Sequence, residues 1–152
     1  MSYTGSQAIA GRGSVLSINT GTPTVPVWTP IGEVKTSQNS GAGWKTADVT
    51  NFSSGSNQEF ITTIRDNGAF KLSCNYVSTD TGQAALYAAY ESGELTMFQL
   101  QLPLQGGQTT KGNLYGFTAL VETYDFDVEV EKEIGLTVSV KISGPLTLTL
   151  GS

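Results

Sequence analysis

The sequence predicts a mainly β domain, a two-sheet β-sandwich or partial barrel with one flanking α-helix. Its 18 glycines and the short runs of β-branched residues between turn-forming segments are typical of many short strands. Only one segment has helical character, and strands are predicted on both sides of it without βαβ alternation. A chain of 152 residues with 38% apolar content suffices for one core, so we predict a single domain over residues 1–152.

The N-terminal region predicts an arm followed by two strands. Residues 1–12 are small and polar and show no periodicity, which favours a flexible arm that becomes ordered against a partner. The first strand begins at Val15. The next apolar run, 25–35, contains Pro26 and Pro30. Since proline donates no ladder hydrogen bond, this run is expected either to lie at the edge of a sheet or to begin as a strand only near Ile31.

A long loop is predicted over residues 37–57. The segment is rich in Gly, Ser, Asn and Thr, and its isolated apolar residues cannot fill a core strand. Loops of this length are usually functional or disordered, so both a disordered excursion and a contact loop are open. An exposed tryptophan between a glycine and a lysine favours the contact loop. The residues assigned to contacts with a partner are Gly43, Trp44, Lys45, Val49 and Phe52.

Two strands and a tight hairpin are predicted next. Residues 59–64 and 69–77 form the strands, and Asn67 and Gly68 between them supply the positive φ angles of a two-residue turn. Apolar and polar residues alternate along the second strand, which indicates one buried face. Cys74 is the single cysteine, so it forms no intramolecular disulfide, and we interpret it as a small core residue and not as a nucleophile.

One helix is predicted, over residues 80–92. Asp80 or Thr81 can cap its first turn, and Gly93 suits the position just past its end. Three apolar side chains share one face and are expected to pack against a sheet. They are Leu86, Ala89 and Tyr90.

Strands return in the second half of the chain. They are predicted over residues 95–102, 114–123, 124–134, 136–142 and 146–150. Glycine-rich turns separate several of them, including Gly144-Pro145 before the last strand.

Composition excludes several classes of function. The net charge of −5, with only 8 scattered basic residues, argues against tight nucleic-acid binding. The absence of histidine excludes Ser-His-Asp and Cys-His catalysis and histidine-ligated zinc, and no phosphate-binding glycine loop is present. A glycoside hydrolase needs only two carboxylates, but no motif supports one. We therefore predict no enzyme, no cofactor and no metal.

Targeting signals are also missing from the sequence. The N-terminus does not resemble a signal peptide, and no apolar run approaches the ~18 residues of a membrane span. The chain is therefore expected to be made in the cytoplasm and not to be a membrane protein.

An ordered set of short motifs runs through the chain. It comprises Asp48-Val49-Thr50-Asn51, Glu59-Phe60, Asp66-Asn67-Gly68 with Phe70, Asn75-Tyr76, Thr81-Gly82-Gln83-Ala84-Ala85-Leu86 through Ser92-Gly93, Gly116-Phe117-Thr118-Ala119-Leu120-Val121, Gly135-Leu136 and Ile142-Ser143-Gly144. In this order the motifs resemble the major tail tube proteins of siphophages, whose fold is shared with the inner tubes of contractile tails and type VI secretion systems. The resemblance covers residues 30–144.

The resemblance implies a virion structural protein located in the tail. Its subunits would form hexameric rings that stack around a channel, through which genomic DNA passes without specific binding. A tape-measure protein, tail-tip proteins and a tail-terminator protein would be its other partners. The alternative from the residues themselves is a carbohydrate- or receptor-binding module that uses Trp28 and Trp44 as aromatic platforms.

Residues 125–133 alternate acidic side chains with mostly apolar ones. On a strand, the five carboxylates would share one face at intervals of ~6.7 Å. Mutual repulsion requires water around such a row, and a negative wall would repel DNA phosphates, so we predict that it lines the lumen. An outward face that protects a sheet edge and a calcium site are the alternatives. The predicted lumen-lining residues are Asp125, Asp127, Glu129, Glu131 and Glu133.

Overall fold

The computed structural model describes residues 8–152. In chain order the elements are β1 (Val15–Asn19), β2 (Trp28–Pro30), β3 (Val34–Ser40), β4 (Gly43–Asp48), β5 (Phe60–Asp66), β6 (Ala69–Asn75), α1 (Thr81–Ser92), β7 (Thr96–Gln101), β8 (Leu114–Asp127), β9 (Gly135–Ile142) and β10 (Thr147–Thr149). Most of the predicted arm, residues 1–7, lies outside the described part, and residues 8–12 belong to no strand or helix. Within the described part, no helix is long and apolar enough to cross a membrane.

The strands form two antiparallel sheets. The larger has eight strands in the order β2-β1-β7-β8-β9-β6-β3, with β10 paired to the start of β8, and the smaller consists of β4 and β5. Together with the one helix, this confirms the predicted fold class. The prolines have the predicted effect, because β2 is a three-residue strand at one edge of the large sheet.

The large sheet curls so that its two end strands approach each other. These strands, β2 and β3, are consecutive in the chain and are separated only by residues 31–33. Such a short connection spans ~14 Å at most, whereas the end strands of a flat sheet of this size would lie far apart. The Ile31 N–H donates to the Leu16 carbonyl at 2.8 Å, which fixes the connection over β1. The result is a partial barrel around one core.

The core lies on the inner face of this curled sheet and is covered by the helix. Alternate residues of β1, β6, β8 and β9 point inward, as the period of two requires. The buried apolar residues are Leu16, Ile18, Ile31, Phe70, Leu72, Cys74, Leu86, Ala89, Phe98, Phe117, Ala119, Val121, Leu136, Val138, Val140 and Ile142. Cys74 is fully buried, as predicted, and burial raises the pKa of its thiol to about 11.

The helix begins and ends where the sequence predicts. The Asp80 carboxylate accepts a hydrogen bond from the Gln83 N–H at 2.9 Å, and the helix ends at Gly93. Leu86 and Ala89 are buried against the sheet, which confirms the predicted packing face. Tyr90 lies at the margin of that face, half-exposed and stacked on Tyr124 with ring centroids 5.9 Å apart.

The predicted loop over residues 37–57 is wrong in its first half. Residues of β3 and β4 occupy it, and only the segment after Asp48 is a loop. The sequence does not indicate these strands, because both of their faces are almost wholly exposed and apolar residues therefore do not alternate along them. Backbone pairing to β6 and β5 defines them instead.

The predicted tight hairpin at Asn67-Gly68 is also wrong. Strands β5 and β6 do not pair with each other; β5 pairs with β4, while β6 pairs with β3 and β9. Thus β3-β4 and β5-β6 form one long ribbon that bends where Gly41 faces Gly68. Both glycines have positive φ, 79° and 78°. The predicted positive φ is confirmed at Gly68 but not at Asn67, and Gly68 marks a bend in the ribbon.

Gly68→Ala is expected to destabilise the protein by about 3 kcal/mol, because a Cβ there adds a backbone clash to the strain of positive φ. It would meet the Ser40 carbonyl oxygen and, at 2.8 Å, the Ala42 nitrogen. Gly41→Ala is the matched control, since its Cβ would find its nearest neighbour at 3.8 Å, and strain alone costs about 1 kcal/mol. Urea unfolding measures both; equal losses would contradict the steric argument.

Candidate functional site

The ribbon of β4 and β5 projects beyond the large sheet and carries exposed apolar side chains. Trp44, Phe60, Ile61 and Ile64 are between 52% and 69% exposed. A two-stranded ribbon is marginally stable alone, and exposed large apolar side chains on both of its faces indicate a surface that binds a partner. We call residues 43–66 the projecting hairpin. Of the predicted contact residues, Gly43, Trp44 and Lys45 lie on its first strand.

The tip of the projecting hairpin, residues 49–59, holds the other two predicted contact residues. Phe52 is fully exposed, at 111%, and Val49 is partly exposed. The Val49 N–H donates to the Glu59 carbonyl at 2.9 Å, which closes the base of the tip. A fully exposed aromatic side chain is a strong candidate for an anchor in a partner.

Short polar contacts hold the tip in one conformation. The Asp48 carboxylate accepts from the Thr50 hydroxyl and from the Thr50 N–H, and these hydrogen bonds lower the pKa of Asp48. The Ser54 hydroxyl donates to the Glu59 carboxylate at 2.6 Å, and the Glu59 N–H donates to the Thr50 hydroxyl at 2.9 Å. The tip is therefore ordered before any partner binds, which lowers the entropic cost of binding.

The acidic stretch does not form the predicted single strand. β8 runs without interruption from Leu114 to Asp127, past the predicted break at residue 124, and ends there. Asp125 and Asp127 lie on it, whereas residues 129, 131 and 133 lie in the connection to β9. A straight row of five carboxylates would maximise their mutual repulsion. The turn after Asp127 instead brings a lysine among them.

Two lysines neutralise part of the acidic stretch. Lys132 Nζ lies 3.3 Å from Asp127 Oδ2 and 3.6 Å from Glu129 Oε2, and Lys35 Nζ lies 3.3 Å from Glu133 Oε1. The pKa of Glu133 is lowered by a hydrogen bond from its own backbone N–H and by Lys35. All these groups are about half exposed, so each pair contributes little to stability.

A polar face covers the outside of β3, β6, β9 and β8. Directly paired residues of antiparallel strands point to the same side, so the register defines this face. Its polar members are Thr36, Gln38, Ser40, Lys71, Ser73, Asn75, Thr123, Asp125, Asp127, Thr137, Ser139 and Lys141. Leu120 and Ala69 are its apolar members. The charges of its two lysines and two aspartates cancel, so these paired residues carry no net charge. Most of its other polar members carry hydroxyl groups.

Several strand edges have no partner in the part of the chain that is described. In the large sheet they are the outer sides of β2, β3 and β10 and one side of the second half of β8, where only β9 is bound; in the small sheet, β4 and β5 each have one free side. Unpaired edges are templates for pairing with another chain. Residues 8–152 contain no group of three or more His, Cys, Asp or Glu side chains placed to hold a metal ion.

Sequence reasoning missed Gln83, a buried polar residue at the helix-sheet junction. Its side chain accepts from the Val77 N–H at 2.9 Å and donates to the Gly32 and Asn75 carbonyls at 3.0 and 2.8 Å. It also missed a groove where the projecting hairpin meets the large sheet, lined by Trp44, Arg65 and Pro145 among others. No local sequence pattern marks either, because the partners come from distant parts of the chain.

Comparison with known proteins gives matches in structure alone. No protein-family model matches the sequence, and no curated protein matches it. The SPP1 tail tube superposes with a TM-score of 0.74 at 14% identity, over 95% of this chain and 80% of that one. A subunit from the tail of a gene transfer agent particle, refined with C6 symmetry, gives 0.70 at 16% identity, over 93% and 99%.

Tubes of contractile systems share the same architecture. The sheath-tube complex of the extracellular contractile injection system PVC contains a chain that matches with a TM-score of 0.69 at 7% identity, over 94% of this chain and 92% of that one. Because all these identities are low, the likeness concerns the fold. The chain therefore has the fold of the tube subunits found in phage tails, gene transfer agent particles and contractile injection systems.

Proposed function

We propose that this chain is the structural, non-enzymatic subunit of a phage-like tail tube, as in a siphophage. Six copies would form a ring, and rings would stack around a channel for DNA. The observation that carries the proposal is the tail-tube fold bearing a projecting hairpin whose large apolar side chains, Phe52 above all, are exposed in the described part of the chain. A subunit whose main partner is another copy of itself accounts for that surface.

Ring closure would use the free strand edges. When an edge of one copy pairs with or abuts an edge of the next, the sheets merge into a continuous barrel and no edge remains open. The edges of β3 and of the second half of β8 border the polar face on opposite sides. Joining them around the ring would place the polar face of every copy on one wall.

Ring stacking would use the projecting hairpin, including the predicted contact residues Gly43, Trp44, Lys45, Val49 and Phe52, and the N-terminal arm. Contacts between successive rings are heterologous and do not close, so another component must limit the length. A tape-measure protein, with tail-tip proteins that initiate growth and a terminator that ends it, fits this requirement. The assembled protein would be located in the tail of the virion.

Electron microscopy of concentrated protein, with and without the tail-tip proteins of the same particle, tests the proposal. We expect rings with sixfold symmetry or tubes in at least the initiated sample. A monomer in both samples that retains a sugar or a receptor would instead indicate the carbohydrate- or receptor-binding module. Among the aromatic platforms of that alternative, Trp28 is only partly exposed, and Arg65 lies 5.6 Å from the ring centre of Trp44.

The polar face is the proposed wall of the channel, with Asp125 and Asp127 among its residues. Because this face is rich in hydroxyl groups and its paired residues carry no net charge, it offers few sites where phosphates could bind. DNA would therefore pass without specific binding. Glu129, Glu131 and Glu133 lie beyond the strand, and we place them at the mouth of the channel.

Replacing both Asp125 and Asp127 with lysine is expected to slow DNA ejection and to lower infectivity on the order of tenfold, because the face would change from zero to +4 per subunit. Both residues are exposed, so thermal unfolding should be unchanged. Ejection kinetics and plaque counts measure the effect. The double change to asparagine, which adds half the charge, serves as the control and should have a weaker effect. Normal ejection by the lysine variant would exclude these positions from the channel wall.

A further inference from the structure

The groove at the base of the projecting hairpin combines apolar walls with unpaired positive charge. It has a volume of about 610 Å³, and its lining includes Trp44, Lys45, Ile64, Arg65, Asp66 and Pro145. Two basic side chains and one acidic side chain leave it with a net charge of +1. In residues 8–152, neither Lys45 nor Arg65 forms an ion pair. Arg65 instead lies over Trp44. A groove of this composition fits a segment that has an apolar residue between acidic ones.

The connection between β8 and β9 is such a segment. Val130 at its centre is fully exposed, at 103%, and is flanked by Glu129 and Glu131. Glu131 has no ion pair in the described part of the chain. The connection, residues 128–134, contains three glutamates and one lysine, a net charge of −2, which opposes the charge of the groove.

The groove and this acidic connection lie at opposite ends of the subunit. In the pairing of β6 with β9, Asn75 faces Gly135 beside the acidic connection, whereas Ala69 faces Lys141 near the groove. Six residues of strand separate the two pairs, which is ~20 Å, so the surfaces cannot meet within one copy. Complementary surfaces at opposite ends produce a head-to-tail contact that repeats without closing.

We propose that the groove binds the acidic β8–β9 connection of a second copy in the next ring. Val130 packs against Trp44 and Ile64, and Glu129 and Glu131 pair with Lys45 and Arg65. This inference rests on the proposed tube function and names the surfaces through which rings stack. It also fixes the polarity of the stack, because the two surfaces differ.

Mixed disulfide cross-linking tests the contact. A Val130→Cys copy is mixed with an Ile64→Cys copy under mild oxidation, and we expect a dimer that links the two variants. The native Cys74 is buried and its thiol has a pKa of about 11, so it does not react. The control pairs Val130→Cys with Leu148→Cys, a residue that is 46% exposed on β10 and outside the groove.

Electron microscopy of the same mixtures, with the tail-tip proteins of the same particle added, separates this inference from the proposed function. Tubes without a cross-link above the control would overturn the contact and leave the function intact. A specific cross-link without rings or tubes would support the contact and count against the tube. If neither a specific cross-link nor rings or tubes form, both the contact and the tube function are wrong.

Charge reversal identifies the source of the affinity. Lys45→Glu with Arg65→Glu in the Ile64→Cys copy should reduce the cross-linked yield about tenfold. Adding Glu129→Lys and Glu131→Lys to the Val130→Cys copy should restore it. If these reversals leave the yield unchanged, or if a short DNA strand displaces the Val130→Cys copy, the proposed occupant is wrong.

Discussion

Phe52→Ser is expected to prevent assembly while leaving the subunit folded. The Phe52 side chain is fully exposed, so its removal takes no packing from the core. The hydrogen bonds that order the tip involve Asp48, Thr50, Ser54 and Glu59 and do not use it. Central aromatic anchors contribute about 2 kcal/mol or more at an interface, which corresponds to at least about a 30-fold higher concentration for assembly.

Sedimentation velocity over a concentration series, with electron microscopy of each sample, measures this effect. Leu104→Ser is the control, because it also removes an exposed apolar side chain from a connection, at 47% exposure, but on another surface. Circular dichroism should show both variants folded. If Phe52→Ser assembles at the concentration of the parent protein, the tip is not an anchor between rings.

Local patterns were sufficient to predict the parts of the fold that face the core. The alternation of Phe70, Leu72 and Cys74 on β6 reflects a strand with one buried face, and the structure has it. Asp80 and Gly93 delimit the helix as predicted, since capping depends on residues within one turn. Where burial is one-sided, the sequence period records it directly.

The projecting hairpin and the acidic connection could not be predicted in this way. Exposed strands such as β4 have no buried face in the subunit, so no alternation is required of them. After the strand ends at Asp127, Lys132 lies beside the Asp127 carboxylate, a contact that the alternation of charges does not reveal. In both cases, the residue types are determined by solvent and by a partner, because the residues do not pack in the core of the subunit.

Gln83 represents a further kind of feature that local patterns do not reveal. In the sequence it looks like an ordinary helix former, yet it is only 2% exposed. Its amide joins the helix to the β2–β3 connection through Gly32 and to the end of β6 through Asn75. A buried amide requires hydrogen-bond partners. These bonds of Gln83 therefore fix the position of the helix on the sheet.

Gln83→Ala is accordingly expected to lower the free energy of unfolding by about 3 kcal/mol. The change leaves the Val77 N–H and the Gly32 and Asn75 carbonyls without the partner they have now, and each buried unpaired group costs about 1 kcal/mol or more. Gln83→Met refills the volume without restoring those bonds, so it should recover only the packing part of the loss. Urea unfolding of the three proteins measures the difference; a Met variant as stable as the parent would mean that the hydrogen bonds contribute nothing, and that the helix is held by Leu86 and Ala89 alone.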